Sequence, residues 1–531
     1  MDRPELHRFE GDASHLDHQD RPHSSKKQRI EQKQHLPPKR DSFGINENIS
    51  QAIDRALMME PHHQSDAVQG ETTTASIVDK ILAFELSTLD AAEREAATLD
   101  VHGVSKLIEE TSELIETSLK GMGIALEELL NSDIRTEDDD MQELRRIYEM
   151  AQQQDPSYLE DRCLRLTFLR ATKFEVHDAA MKLLEFLKLK ADLFGPSLLC
   201  KEISMQDDDC FSAEDRKCLQ SGLLQTLVTK DSIGRTVFIW STTLRGHYQP
   251  TSKQRLLLYT MMAAIRDIEC QQKGCVFVLL NCGSHGVQNR DLYLEGTSKM
   301  HKMILALPVR FNAFHICTDQ ANRQEYAALT IAKSMNRHRI RARHHEGSSL
   351  DEIKQKLMSF GIPCYDEVFP MKSFEDVDLS HHRRWCEKQL LHDLFEEHPA
   401  ADPTSSSCGK NIVPGARDVL FGRSSSSKRH LGNVFYYSLL DLYEDEYERC
   451  HKSVLTSEKG AIASHIVQII QNTGGRFLRL ASLNYNGSCK NRWSVVDARD
   501  SRKKVTNAFR DRRKMKKELS SAEVLSHSGH R

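Results

Sequence analysis

The chain has 531 residues, of which 39 % are hydrophobic and 28 % charged, and its formal net charge is −4. This length allows three or four folded units, but the apolar content is just below the globular average, which predicts folded cores diluted by solvated tails. The densest apolar run, Cys275 to Leu280, is far shorter than a bilayer requires. These values exclude collagen-like, disulfide-scaffold and membrane-spanning proteins, so we expect no transmembrane segment.

Residues 1–75 combine Pro, His, Gln, Ser and Lys with few apolar side chains, a composition that predicts a disordered tail. A second disordered tail is predicted at 518–531. The first residues are charged and rich in histidine, which argues against a secretory signal and predicts an intracellular protein.

The cysteine and histidine patterns favour neither disulfides nor a metal site. The 13 cysteines are odd in number and none are spaced as C-x-x-C, which indicates free thiols. The histidine pairs are adjacent and lack the spacing that places two ligands on one helix face. We therefore expect no metal and no cofactor.

An acidic helical segment is predicted at 76–149. Between Ser76 and Asp140 the sequence carries 17 acidic residues against 5 basic ones, laid over apolar residues at helical spacing. Binding to a partner and a merely solvated acidic face are both open interpretations.

The apolar content is concentrated in residues 150–371. Buried strands separated by helices are predicted from three apolar runs, Val237 to Trp240, Val276 to Leu280 and Phe311 to Cys317. Thr251 with Gln254, and Ser349 with Glu352, have the spacing of helix capping boxes. The pattern predicts an α/β fold with a mostly parallel sheet covered by helices and preceded by a helical subdomain.

Several phrases of this region resemble the CRAL-TRIO (SEC14-like) lipid-binding domain. The stretch from Phe168 to Gly195 begins Phe-Leu-Arg-Ala-Thr-Lys-Phe and continues as an amphipathic helix, like the helical opening of that family. Gly234-Arg235-Thr236-Val237, the strand from Gly274 to Leu280, Leu307-Pro308-Val309-Arg310 and Arg339-Ile340-Arg341 follow in the family's order. The resemblance covers about 210 residues.

The resemblance implies an apolar cavity between the sheet and a gate helix, holding one lipid. The implied cavity residues are Val237, Ile239, Tyr259, Met262, Val276, Val278, Leu280, His315 and Cys317. The implied gate residues are Tyr326, Leu329, Ile331 and Met335. Each of these residues has the alternative interpretation of an ordinary core position.

Arginines alternate in the run Arg337, Arg339, Arg341 and Arg343, so a strand would place all four on one face. The family resemblance implies that basic residues here bind phosphoinositide headgroups. A solvated or carboxylate-paired sheet edge is the alternative.

Residues 372–412 are polar and predict a linker, and residues 413–517 predict a small, separate α+β domain. Two helices, through Val434 and Ile462, are followed by a hairpin with strands from Phe477 and Trp493 and by a basic last helix. Phrases such as Asp418-Val419-Leu420-Phe421-Gly422-Arg423 resemble an uncharacterised domain abundant in diatom proteins. From Arg417 to Lys517, 21 basic residues against 10 acidic ones give +11.

That charge makes Arg510, Arg512, Arg513 and Lys514 candidates for contact with nucleic acid. A solvated tail, an intramolecular dock for the acidic segment and a nuclear-import signal are the alternatives.

The leading hypothesis is a non-enzymatic protein that binds or transfers a phospholipid, phosphoinositide, sterol or tocopherol-like lipid. We expect it to be cytoplasmic and in peripheral contact with anionic membranes. The competing hypothesis is a nuclear regulator with a nucleic-acid-binding C-terminal domain and a lipid-sensing module. The sequence lacks the phosphate-binding and nucleophile motifs that would favour an enzyme.

Overall fold

The computed structural model describes residues 89–104, 106–131, 139–241, 248–282, 302–319, 341–396, 412–422, 424–450, 455–480 and 493–528, with Ala83, Ser87, Lys299 and Met300. The predicted tail 1–75 lies outside these ranges. Within them, none of the helices combines the length and the apolarity that a bilayer span requires.

A layer of helices precedes the main sheet. It comprises α1 (Ala91–His102), α2 (Ser112–Asn131), α3 (Asp139–Gln154), α4 (Pro156–Glu160), α5 (Arg162–Ala171) and α6 (Val176–Phe194), then a short 3-10 helix (Pro196–Leu198) and α7 (Ala213–Gln220). The apolar stripe of α6 is fully buried and packs against α2, α3 and α5. The acidic segment is therefore built into this layer, with residues such as Met122 and Ile147 in the core and Asp100 buried among them as a charged exception.

Five strands form the main sheet, in the order β1 (Leu224–Thr226), β2 (Thr236–Ser241), β3 (Cys275–Asn281), β4 (Phe311–Thr318) and β5 (Ala342–Glu346). β1 is antiparallel to β2, and all other neighbours are parallel. Every residue of β2 and β4 is buried, as expected of strands covered on both faces. The α/β prediction is confirmed at this level.

The turn that enters β2 explains the phrase Gly234-Arg235-Thr236. The Asp231 carboxylate accepts hydrogen bonds from the Arg235 backbone N–H at 2.7 Å and from Arg235 Nε at 2.6 Å. Gly234 has φ +87°, a conformation that side chains rarely adopt, and a Cβ there would meet Lys273 Nζ at 2.5 Å. The motif thus builds a turn around a buried ion pair.

Three helices flank the strands: α8 (Pro250–Ala264), α9 (Ile268–Lys273) and α10 (Leu350–Met358). The predicted Ser349 cap of α10 is present, since Ser349 Oγ accepts from the Glu352 N–H at 3.3 Å. The predicted Thr251 cap is wrong, because α8 already begins at Pro250. Proline is favoured in the first turn, where its missing N–H costs nothing.

Part of the predicted linker 372–412 is a helix, α11 (Ser380–Phe395). It packs against α7 and β1 on one side and against the C-terminal unit on the other. Its buried positions include His382, Glu387 and Gln389, so its buried side does not read as an apolar stripe.

The C-terminal unit consists of β6 (Val419–Phe421), α12 (Ser425–Arg429), α13 (Leu431–Arg449), α14 (Leu455–Asn472), β7 (Phe477–Leu480), β8 (Trp493–Val495) and α15 (Ala498–Ser528). Its sheet has the order β6-β7-β8, with β6 parallel to β7 and β8 antiparallel to it. The hairpin strands are confirmed, β6 was not predicted, and α15 extends through residues 518–528, where we predicted a tail.

Candidate functional site

The parallel strands β2, β3 and β4 end at one edge of the main sheet, at Ser241, Asn281 and Thr318. In open α/β sheets, ligands bind outside the carboxyl ends of the strands. The connections that leave this edge, 242–247, 283–298 and 320–340, lie outside the described residues. The gate candidates Tyr326, Leu329, Ile331 and Met335 belong to the last of these connections.

One face of the sheet is a closed core. The predicted cavity residues Val237, Ile239, Val276, Val278, Leu280 and Cys317 all belong to it and are at most 1 % exposed. They pack with Leu350, Ile353 and Leu357 of α10 and with the segment from Ile362 to Met371. The structure brings these six residues together, but as part of the packed core beneath α10.

His315 lies on the same closed face, where its Nδ1 is 2.8 Å from His345 Nε2 and the two rings stack. The Phe360 ring meets both imidazoles edge-on. Burial, with His345 nearby, lowers the pKa of His315 well below its usual value. Burial likewise lowers the pKa of His345 to about 4. Both rings are therefore neutral at physiological pH.

Tyr259 and Met262 lie on α8, away from the other candidates. Tyr259 is 1 % exposed, and its hydroxyl donates to Asp393 Oδ2 of α11 at 2.8 Å. Asp393 also accepts from the Met205 backbone N–H at 2.8 Å. Tyr259 therefore joins α11 to α8. Met262 is half-buried.

We expect Tyr259→Phe to lower the free energy of unfolding by about 1 to 3 kcal/mol, because Asp393 loses a buried hydrogen bond. Uptake of lipid should not change. Urea titration and a lipid-uptake assay on the same preparation check the two expectations. A loss of uptake without a loss of stability would indicate that Tyr259 lines the lipid cavity.

The opposite face of the sheet carries an aromatic ladder, which we define as Phe238, Trp240, Phe277, Phe311 and Phe314. Alternation along each strand and the observed register place Phe238, Phe277 and Phe314 side by side in one row. A bulge at Asn312 brings Phe311 onto the same face, 5.4 Å from the Phe314 ring centroid.

The ladder face becomes polar toward the carboxyl ends of the strands. The second row is Trp240, Leu279 and Ile316, and the third is Asn281 beside Thr318. Thr318 Oγ1 lies 2.9 Å from His344 Nε2 of β5. Leu279 is the half-buried member of its strand. This face of the sheet thus runs from aromatic to aliphatic to hydrogen-bonding groups over about 13 Å, and its residues in β2, β3 and β4 other than Leu279 are at most 8 % exposed.

Two of the four candidate headgroup arginines are described. Arg341 donates to Asp100 Oδ2 of α1 through Nη2 at 2.6 Å and Nε at 3.1 Å, which is the carboxylate-paired alternative. Arg343 donates to the Ala342 carbonyl, and burial lowers its pKa. Arg337 and Arg339 lie outside the described residues.

The candidates for contact with nucleic acid are divided between two faces of α15. Arg512 forms an ion pair with Asp441 of α13 and donates to the Tyr437 carbonyl. Arg510 and Lys514 are exposed, and Arg513 is half-buried. The four residues are therefore not one surface.

Three potential metal ligands, from Glu202, His392 and Glu396, lie within 4.8 Å of one another. Ion pairs account for this group, since Glu202 is 2.7 Å from Arg266 Nη2 and His392 is 3.2 Å from Glu396. Its carboxylates are exposed to solvent, so the group is not a built metal site.

Comparison with known families gives one match, in the C-terminal unit. Residues 418–511 match the family described as a domain of unknown function, DUF6824. The matched region runs from β6 into α15 and ends within that helix. No curated protein matches the chain in sequence.

Sequence reasoning missed the aromatic ladder, Asp100 and Asp393. Both faces of a buried parallel sheet are apolar, so the runs Val237 to Trp240 and Val276 to Leu280 gave no sign of which alternate set faces a ligand. The bulge at Asn312 shifts the alternation within β4, and only the register reveals it.

Proposed function

We propose that residues 150–371 bind a hydrophobic lipid against the aromatic ladder of the main sheet, with its polar headgroup near Asn281 and Thr318. The resemblance of this region to CRAL-TRIO domains supports a carrier of this class. The observation that carries the assignment is the change along one sheet face from Phe and Trp to Asn and Thr.

The energetics of this arrangement favour an amphipathic ligand. Each methylene of a lipid tail that leaves water for an apolar surface contributes about 0.8 kcal/mol. A headgroup at the third row keeps hydrogen-bonding partners, which avoids the cost of burying unpaired polar groups. In this proposal the gate residues between 320 and 340, which follow β4 directly, cover the ligand.

The proposal is binding or transfer of lipid, without catalysis. Arg341 is paired with Asp100. In this proposal, Arg337 and Arg339 therefore recognise a phosphoinositide headgroup. The lipid site and the C-terminal unit are separate parts of the proposal.

The test is uptake of lipid by the full-length chain. Delipidated protein should take up phosphatidylcholine or a sterol from vesicles and retain it on re-isolation, as seen by mass spectrometry. Leu279→Gln, which places an amide in the second row, should weaken uptake about tenfold, because roughly 1.4 kcal/mol of apolar contact is lost.

Val278→Thr is the matched control, since it places a hydroxyl on the opposite, closed face of the same strand. It should lower stability and leave uptake within about twofold, a change of under 0.5 kcal/mol. Equal losses in both variants would refute the choice of face. Failure of the unaltered protein to take up any lipid would refute the proposed function itself.

A further inference from the structure

A groove of about 550 Å³ lies between α14 and α15 in the C-terminal unit. Its α14 side consists of the small residues Gly460, Ala461, Ala463 and Ser464. Its α15 side is basic and polar, with Arg499, Arg502, Lys503, Thr506 and Asn507. The groove therefore has small, uncharged side chains on its α14 side and cationic side chains on its α15 side.

The basic side of the groove continues along α15. Positions 499, 503, 506, 510 and 513 follow one another at intervals of three or four residues, and 502 and 514 lie beside them, so all seven share one side of the helix. We call this face the basic stripe, and its cations are Arg499, Arg502, Lys503, Arg510, Arg513 and Lys514. At 1.5 Å per residue it is about 23 Å long.

The other faces of α15 are used for folding. Val505 and Phe509 are buried, and the Phe509 ring stacks on Tyr447 of α13 at 4.1 Å. Arg512 pairs with Asp441, and Lys516 Nζ is 3.0 Å from Glu444 Oε1. Charges on the folding side are thus matched by α13, unlike those of the stripe.

The ion pairs made by the stripe are local and exposed. Lys503 lies 3.4 Å from Asp500, Arg510 lies 3.6 Å from Asp511, and Lys514 lies 3.7 Å from Glu518. Among the residues that the structure describes, Arg499 and Arg502 have no carboxylate within ion-pair distance. Exposed pairs contribute little free energy, so a phosphate can replace these carboxylates at small cost.

We propose that the groove and the basic stripe bind the phosphate backbone of duplex nucleic acid without reading its sequence. Duplex DNA carries one charge per about 1.7 Å of axis, and a row of six cations along one helix matches such a dense, linear polyanion. Arginine suits this role because its fork donates two hydrogen bonds to one phosphate.

Two features favour a duplex over other polyanions. Among the residues that the structure describes, the lining of the groove contains no aromatic side chain, whereas single strands are held by stacking on aromatic rings. The stripe carries no large apolar side chain that could enter a membrane.

The experiment is a salt titration of binding between the full-length protein and a fluorescent, mixed-sequence duplex of about 20 base pairs. Six phosphate contacts predict that the logarithm of the binding constant falls with the logarithm of salt at a slope of about −5. Arg499→Gln with Arg502→Gln should reduce this slope by about two. A second duplex of unrelated sequence should bind within about threefold.

Arg512→Gln with Lys516→Gln is the matched control, because it removes the same charge from the folding side of the same helix. It should lower thermal stability and leave the salt slope unchanged. An equal fall of the slope in both double variants would overturn the assignment of the stripe.

Two competition arms address the other polyanions. Tighter binding to a single strand of the same sequence, or to phosphatidylcholine vesicles containing phosphatidylinositol 4,5-bisphosphate, would overturn the proposal. Absence of duplex binding at the lowest salt would also overturn the proposal. This outcome does not depend on the lipid-uptake assay, which tests the proposed lipid site in residues 150–371.

Discussion

Asp231→Ala should lower the free energy of unfolding by about 3 to 5 kcal/mol, because it leaves a buried guanidinium without its counter-charge. Asp231 is completely buried, and Arg235 is 1 % exposed. Arg235 Nη1 keeps its bond to the Asp100 carbonyl at 2.6 Å, but a carbonyl does not neutralise the charge. The entry to β2 should therefore loosen together with the end of α1.

Urea titration of the full-length chain, followed by tryptophan fluorescence, measures this effect. Asp267→Asn is the control, because Asp267 makes an ion pair with Lys230 at 2.7 Å but is 48 % exposed, where such pairs contribute under about 1 kcal/mol. Asparagine keeps the side-chain oxygen that accepts from the Glu269 N–H and caps α9. Similar losses in the two variants would contradict a special role for the buried pair.

The stability of the protein should fall between pH 6.5 and about 4 through His382. This histidine of α11 is fully buried; its Nε2 donates to the Leu219 carbonyl at 2.7 Å, and its ring stacks on Trp385. Burial lowers its pKa to about 4, from 6.5 for an exposed histidine. Because the unfolded chain takes up the proton first, acid favours unfolding, by up to roughly 3 kcal/mol for this group.

Comparison with His382→Gln isolates this contribution from those of the carboxylates. The variant loses packing and should be less stable at pH 8, but the gap should shrink by roughly 3 kcal/mol as the pH falls to 4, since glutamine does not titrate. Urea titrations of both proteins across this range provide the measurement. Parallel stability curves would contradict a neutral, buried His382.

The sequence predicted those parts of the fold that depend on local pattern. The runs that form β2 and β3 are almost entirely apolar, and that of β4 is interrupted by Asn312 and His315. The Ser349 cap has a hydroxyl three residues before a glutamate. Strands β1 and β6 have three residues each, too few to show a period.

The candidate site was less predictable because it depends on three-dimensional pairing. Val278 and Leu279 are adjacent apolar residues that the sequence pattern does not distinguish. Val278 packs beneath α10, whereas Leu279 is half-buried on the ladder face. The charges of Arg341 and Arg512 are evident in the sequence, but Asp100 and Asp441, from distant parts of the chain, neutralise them. No local pattern reveals such partners.

Helix α11 affects where the chain can be divided for expression of its parts. Asp393 of α11 is hydrogen-bonded to Tyr259 of α8, as described above. The same helix also contacts α13, since Glu387 accepts from the Tyr443 hydroxyl and Arg383 pairs with Glu446 at 2.6 Å. A fragment that begins at 413 would expose the α13 surface that α11 covers, including Phe435 against Phe395. A fragment that begins before Ser380 would retain this cover, so the natural border of the C-terminal unit lies upstream of the matched region 418–511.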